Sequence, residues 1–215
     1  MEEGGRATTL SAVEAIAAFG ASLLALRLAG ALISRWRERR RPEFAFWAAG
    51  LAAYAVAAGA LAWGAAAGWD GRAFRLYYLF GGLLTAPLLG VGSLLLAGRR
   101  IAAPLGLLYT GLAVGIAMAE PLKRPVAGAE IPAAQDHLAF FPARVIAILG
   151  NSAGTLALVA VALLTLRRRP VANALVLAGV IVAAVGSALA GVGEAGTAAF
   201  VAAAAVLLYG GFSVR

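Results

Sequence analysis

The chain has 215 residues, 62% of them apolar and 13% charged, with a formal net charge of +8 and a mean hydropathy of +0.89. Soluble domains carry about 25% charge, so this composition belongs in lipid; its basic residues lie in short runs between apolar stretches rather than on one face, which excludes a nucleic-acid partner. With no cysteine and a single histidine, His137, the chain lacks the usual donors for haem, zinc or an iron–sulfur cluster, and no metal or cofactor is expected.

A spanning helix needs roughly 20 mostly apolar residues. Seven stretches qualify: about 10–34, 44–67, 74–97, 101–119, 143–166, 171–191 and 195–213. None alternates polar and apolar residues as a barrel strand must. The expected fold is all-α: a polytopic, multi-pass protein of the inner (plasma) membrane, one domain over 1–215 with seven transmembrane helices.

The first stretch follows the acidic start "MEEGGRATTL" and precedes a basic run, the reverse of a secretory signal, so it reads as a retained anchor. Glu14, about one turn inside its outer end, suits a cation or proton site, or the headgroups. Arg27 lies within snorkelling reach of the basic run. That run ends in "RRRP", Arg39 to Pro42, and the same four residues recur at Arg167 to Pro170, 128 residues later. Arginines hold an interface, and proline suits the first turn of a helix because its missing N–H costs nothing there. In the second stretch Trp47 and Trp63 are 16 residues apart, about 24 Å along a helix; they, Trp36 and Trp69 read as interfacial anchors.

The third stretch contains "YYLFGGLLTAPLLGVGS", beginning at Tyr77. Pro87 removes one backbone hydrogen bond and frees the carbonyl a turn earlier, which makes a hinge or cavity wall, or else a static kink. The stretch 101–119 is a linker helix in this reading. The outer loop 120–142 has four prolines, Pro121, Pro125, Pro132 and Pro142, and reads as an ordered cap whose "PAAQDHLAFF" makes a short amphipathic helix. Its Glu120, Lys123, Arg124, Asp136 and His137 are candidates for an outer entrance, against plain surface solvation. In the fifth stretch "GNSAGT", Gly150 and Gly154 form a small-residue face for close helix approach. Asn151, Ser152 and Thr155 beside them serve either as polar glue or as ligand contacts.

Counting charge sets the orientation. With the amino terminus outside, 11 of 18 basic residues fall inside, at Arg35, Arg37, Arg39–Arg41, Arg99, Arg100, Arg167–Arg169 and Arg215. Eight of ten acids fall outside: Glu2, Glu3, Glu14, Asp70, Glu120, Glu130, Asp136 and Glu194. The basic bias of short loops fixes topology, so the carboxyl terminus is expected in the cytoplasm.

The recurring "RRRP" is joined by Ala60-Leu61-Ala62 matching Ala188-Leu189-Ala190 at the same offset, and by Phe80-Gly81-Gly82 matching Tyr209-Gly210-Gly211 after one residue of slip. These matches suggest a 3+1+3 parallel repeat, 10–97 and 143–213 about the linker. In architecture alone that arrangement resembles the SWEET sugar transporters. Their Pro-Gln pair is absent here, so no sugar is assigned.

For function, the only lysine, Lys123, lies in a loop, which excludes a retinal Schiff base in the last helix, and no G-x-x-x-x-G-K phosphate loop occurs. No catalytic set is recognised. The leading expectation is a non-catalytic binding, sensory or assembly subunit, meeting another membrane protein or a second copy through its small-residue faces, with lipids as constant partners. The alternative is a small-solute or lipid transporter around a midplane cavity. Glu14, Tyr77, Thr85, Asn151, Ser152 and Thr155 are its candidate ligand-binding residues and Pro87 its candidate hinge. The small-molecule ligand is unassigned.

Overall fold

The computed structural model describes residues 2–128, 130–191 and 197–213. They are all-helical with no strand, and five helices are long and apolar enough to cross a membrane: Ala12–Arg39, Pro42–Ala67, Gly71–Leu96, Ala102–Ala119 and Phe140–Leu164. We label the long elements α1 (Glu2–Arg39), α2 (Pro42–Ala67), α3 (Gly71–Leu96), α4 (Ala102–Ala119), α5 (Val145–Leu164), α6 (Pro170–Gly191) and α7 (Thr197–Ser213). Pro170–Gly186 within α6 and Thr197–Ser213, the 17-residue α7, are shorter apolar helices outside those five. Glu194 and Arg215, used in the charge count, lie outside the described residues, as does the start of the seventh stretch.

Local chemistry sets the boundaries. α1 runs five residues past the expected 34 and stops at Arg39, because Arg40 turns left-handed (φ 52°) and Pro42 holds Arg41 extended. The second "RRRP" turns differently. Arg168 and Arg169 donate backbone bonds to the Thr165 carbonyl, and Asn173 Nδ2 donates to Thr165 Oγ1 at 2.9 Å. One four-residue signal thus serves two turn geometries. α3 begins at Gly71 rather than 74, since Asp70 caps it by accepting from the N–H groups of Arg72 and Ala73 at 3.0 and 2.7 Å. It closes on Gly98 (φ 83°) in a Schellman motif, with Arg99 N donating to Leu94 O and Gly98 N to Leu95 O.

Small side chains bring the helices together. α1 lies along α2, where Ser22 Oγ donates to Ala55 O at 2.8 Å. α3 packs against α2 and α5; a Cβ on Gly154 would collide with the Ala86–Pro87 backbone, and one on Gly90 would collide with Gly154. α6 and α7 pair with each other and rest on α1 through α7. α5 and α6 touch sparsely although they are consecutive, unlike α1 and α2, so the two halves of the expected repeat do not pack alike. At the arginine end, Leu32, Leu51, Leu89, Leu158 and Leu208 form a buried cluster, and Arg35 Nη1 donates to Phe212 O at 3.1 Å.

Of the four expected tryptophan anchors, Trp69 is interior instead and Trp47 is half-buried. Trp69 is 4% exposed, with its ring against Gly64, where a Cβ would overlap it; Gly68 (φ 84°) folds the chain back to put it there. Trp47 packs on Gly92 and edge-on to Phe212, with Nε1 3.4 Å from Ser93 Oγ. Trp63 stays exposed. The loop 120–142 carries a single helical turn, Ala134–His137, in place of a longer amphipathic helix, with Phe140 and Phe141 exposed beyond it.

Candidate functional site

A cavity of about 750 Å³ opens among α2, α3, α5, α6 and α7. Its polar wall consists of Tyr54, Tyr77, Tyr78, Thr85, Asn151, Ser152 and Thr155, and among the described residues no Lys, Arg, His, Asp or Glu lines it. Of the ligand-binding candidates, Tyr77, Thr85, Asn151, Ser152 and Thr155 come together here; Glu14 does not, sitting half-buried on α1 away from this wall. Leu89, Leu158 and Leu208 belong both to the cavity wall and to the arginine-end cluster, which closes the cavity on that side.

The wall depends on a break in α3. Over Tyr77–Leu84 the backbone is π-helical, bonding five residues back rather than four. Just beyond, Pro87 has no N–H for the Leu83 carbonyl it would meet in α register. Neighbouring helices supply the missing donors. Tyr109 on α4 donates its hydroxyl to Leu83 O at 2.9 Å, and Asn151 Nδ2 on α5 donates to Gly82 O at 2.7 Å. Thr85 Oγ1 donates to Phe80 O at 2.7 Å. The first two bonds come from neighbouring helices to carbonyls of the broken segment, whereas Phe80 O also accepts the Thr85 backbone N–H.

These bonds divide the polar residues into two kinds. Asn151 is interhelical glue through Nδ2, with its carbonyl oxygen and second N–H left over. Tyr54, from the second helix, donates to Val201 O on α7 at 2.5 Å, and Tyr78 to Ala143 O at 3.2 Å. By contrast the Tyr77 hydroxyl has no hydrogen-bond partner among the described residues; its ring stands edge-on to Trp69 at 5.4 Å. The Tyr77 phenol thus lines the cavity with its donor and acceptor unused by the described residues.

The loop 120–142 roofs the cavity with Ile131, Pro132, Ala133 and Ala134. Trp69 N donates to Gly128 O at 2.7 Å, and Lys123 N donates to His137 O at 2.9 Å. His137 Nδ1 lies 3.2 Å from Arg124 O, and Ala139 N donates to Glu120 Oε1 at 3.3 Å. Arg75 clasps the end of α4 through the carbonyls of Ala117 and Glu120, at 2.6 and 2.8 Å. Glu120 and His137, offered as entrance residues, therefore strap the roof down; neither they, Asp136, Lys123 nor Arg124 reaches the cavity.

Sequence reasoning passed over Tyr54, Tyr78 and Tyr109. The signal available was a lone phenol inside an apolar stretch, as in "LAAYAVAAGA", where a hydroxyl must find a partner. A smaller crevice of about 200 Å³ among α3, α4 and α5, beside Pro87, Gly106 and Gly150, is almost wholly apolar. No protein-family model matches the chain, and no curated protein or solved structure is similar to it.

Proposed function

We propose that this is a seven-span membrane protein, amino terminus outside and arginine end in the cytoplasm, that binds a small molecule non-covalently in the cavity between α3 and α5. The observation that carries the reading is the wall itself: a space of about 750 Å³ with Tyr77, Asn151, Ser152 and Thr155 turned into it. Its size lies within the roughly 300–1,000 Å³ usual for ligand pockets, which are largely apolar with a few placed polar groups. Among the described residues the lining offers hydrogen bonds and no acid–base pair, which favours binding over chemistry. A carrier is the second reading, favoured by one observation: α3, which forms the wall, is broken at Tyr77–Leu84 and again at Pro87.

The test is a thermal-shift screen of the purified protein in detergent against metabolites, ions and lipids. A ligand that binds only the folded state adds about 2.7 kcal/mol at a hundredfold excess over its dissociation constant. The expected hit is saturable, is lost in Tyr77→Phe and is retained in Glu14→Gln. A hit that Tyr77→Phe and Thr155→Val both leave unchanged, or silence across the panel from a well-folded protein, refutes the reading.

A further inference from the structure

Resting on that reading, we infer that the ligand is a neutral amphiphile with one small oxygen-bearing head and an apolar body, admitted from the bilayer through the gap between α5 and α6. The first argument is charge. Among the described residues no ionisable side chain except tyrosine lines the cavity, and an ion in a low-dielectric space without a counter-charge is strongly disfavoured. A carboxylate, phosphate or ammonium therefore has no partner here, whereas a hydroxyl or carbonyl meets the unpartnered Tyr77 hydroxyl and the spare groups of Asn151.

The second argument is access. The roof is tied to the bundle by Trp69 to Gly128 and by Arg75 to the Glu120 carbonyl, and is cross-braced within itself by Lys123 to His137, which obstructs the route from water. Below, the leucine cluster fills the arginine end. What remains is the side. Ser152 and Leu156 on α5 and Ala184 on α6 all line the cavity and are all exposed, Leu156 by 69%. They line the cavity from the two sides of a pair of consecutive helices that touch sparsely. An opening at that height, between helices this apolar, gives onto lipid chains.

The experiment uses the full chain in phosphatidylcholine nanodiscs and three sixteen-carbon photoprobes, each with a diazirine in the chain, ending in an alcohol, a carboxylate or a trimethylammonium. The alcohol is expected to label α3 and α5 saturably, competed by unlabelled hexadecanol, with the two ionic probes weaker by roughly tenfold or more. Equal or stronger saturable labelling by an ionic probe overturns the neutral-ligand inference and leaves the binding site standing. Because the chain has no cysteine, a nitroxide on Ser152→Cys reports the side opening separately, and Leu163→Cys, exposed on the same helix, is the lipid-facing reference. Relaxation dominated by oxygen supports the lateral route; relaxation dominated by a water-soluble nickel chelate overturns it. If no probe saturates while a water-soluble compound stabilises the protein, the inference fails alone; if nothing saturates and nothing stabilises, the binding reading fails with it.

Discussion

Tyr77 and Tyr109 are the same residue type on adjacent helices, and their hydroxyls have opposite duties. Tyr109 closes a carbonyl that Pro87 leaves open, while Tyr77 closes nothing. Tyr109→Phe is expected to lower stability by about 1 kcal/mol, the usual worth of a hydrogen bond between membrane helices. Tyr77→Phe should leave unfolding unchanged and abolish ligand stabilisation; reversible unfolding in mixed micelles reads both. Asn151 combines the two duties, so Asn151→Ala should lose about 1 kcal/mol as well as ligand. An Asn151→Ala protein unchanged in both respects would remove it from the site. At this scale much was legible: Asn151, Ser152, Thr155, Thr85 and Tyr77 stand out because polar atoms are expensive in apolar helices, and the structure gathers them round one cavity. Glu14 stood out by the same rule and lies elsewhere, since cost identifies an unusual residue without saying which neighbours it meets.

α3 is the element on which the site is built. Pro87 and its glycines announced a break, but the π-helical run before it left no mark in the residue pattern, because a shift from four-back to five-back bonding needs no special residue type. The close contact of α3 with α5 at Gly90 and Gly154 was half legible: Gly154 marked a small face, and only the fold supplied the opposing Ala86–Pro87 backbone. If Tyr109 acts by replacing the proline's missing donor, the two positions must be coupled. Pro87→Ala returns an N–H to the Leu83 carbonyl, so Tyr109→Phe should cost less in that background than in the wild type. A double-mutant cycle is expected to give about 1 kcal/mol of coupling; additive effects would mean that the phenol and the proline act independently.

Across the whole molecule, charge and packing point the same way. Arg35 reaches the carbonyl of Phe212, and Trp47 touches both Ser93 and Phe212, so the arginine-bearing ends of α1, α2 and α3 share a side with the end of α7. A reporter fused after Arg215 should therefore be cytoplasmic and one inserted at Gly128 external; the opposite result would invert the charge argument. The roof illustrates what composition withholds, since an apparently charged loop is fastened mainly by backbone groups such as Gly128 O and His137 O, which no side-chain pattern encodes. The five-back segment has a consequence for chain length. Such a run holds one residue more per turn than its flanks, so α3 contains slack at that place alone. Deleting Leu79 lets α register run through while Gly90 and Gly92 keep their facing; a deletion beyond Pro87 swings them by about 100°, away from Gly154 and Trp47. The first shortened protein should unfold at nearly the wild-type temperature yet hold no ligand, because the widened turn that presents Gly81 and Gly82 to the cavity is gone. The second should not fold. A single missing residue thus separates keeping the bundle from keeping its cavity.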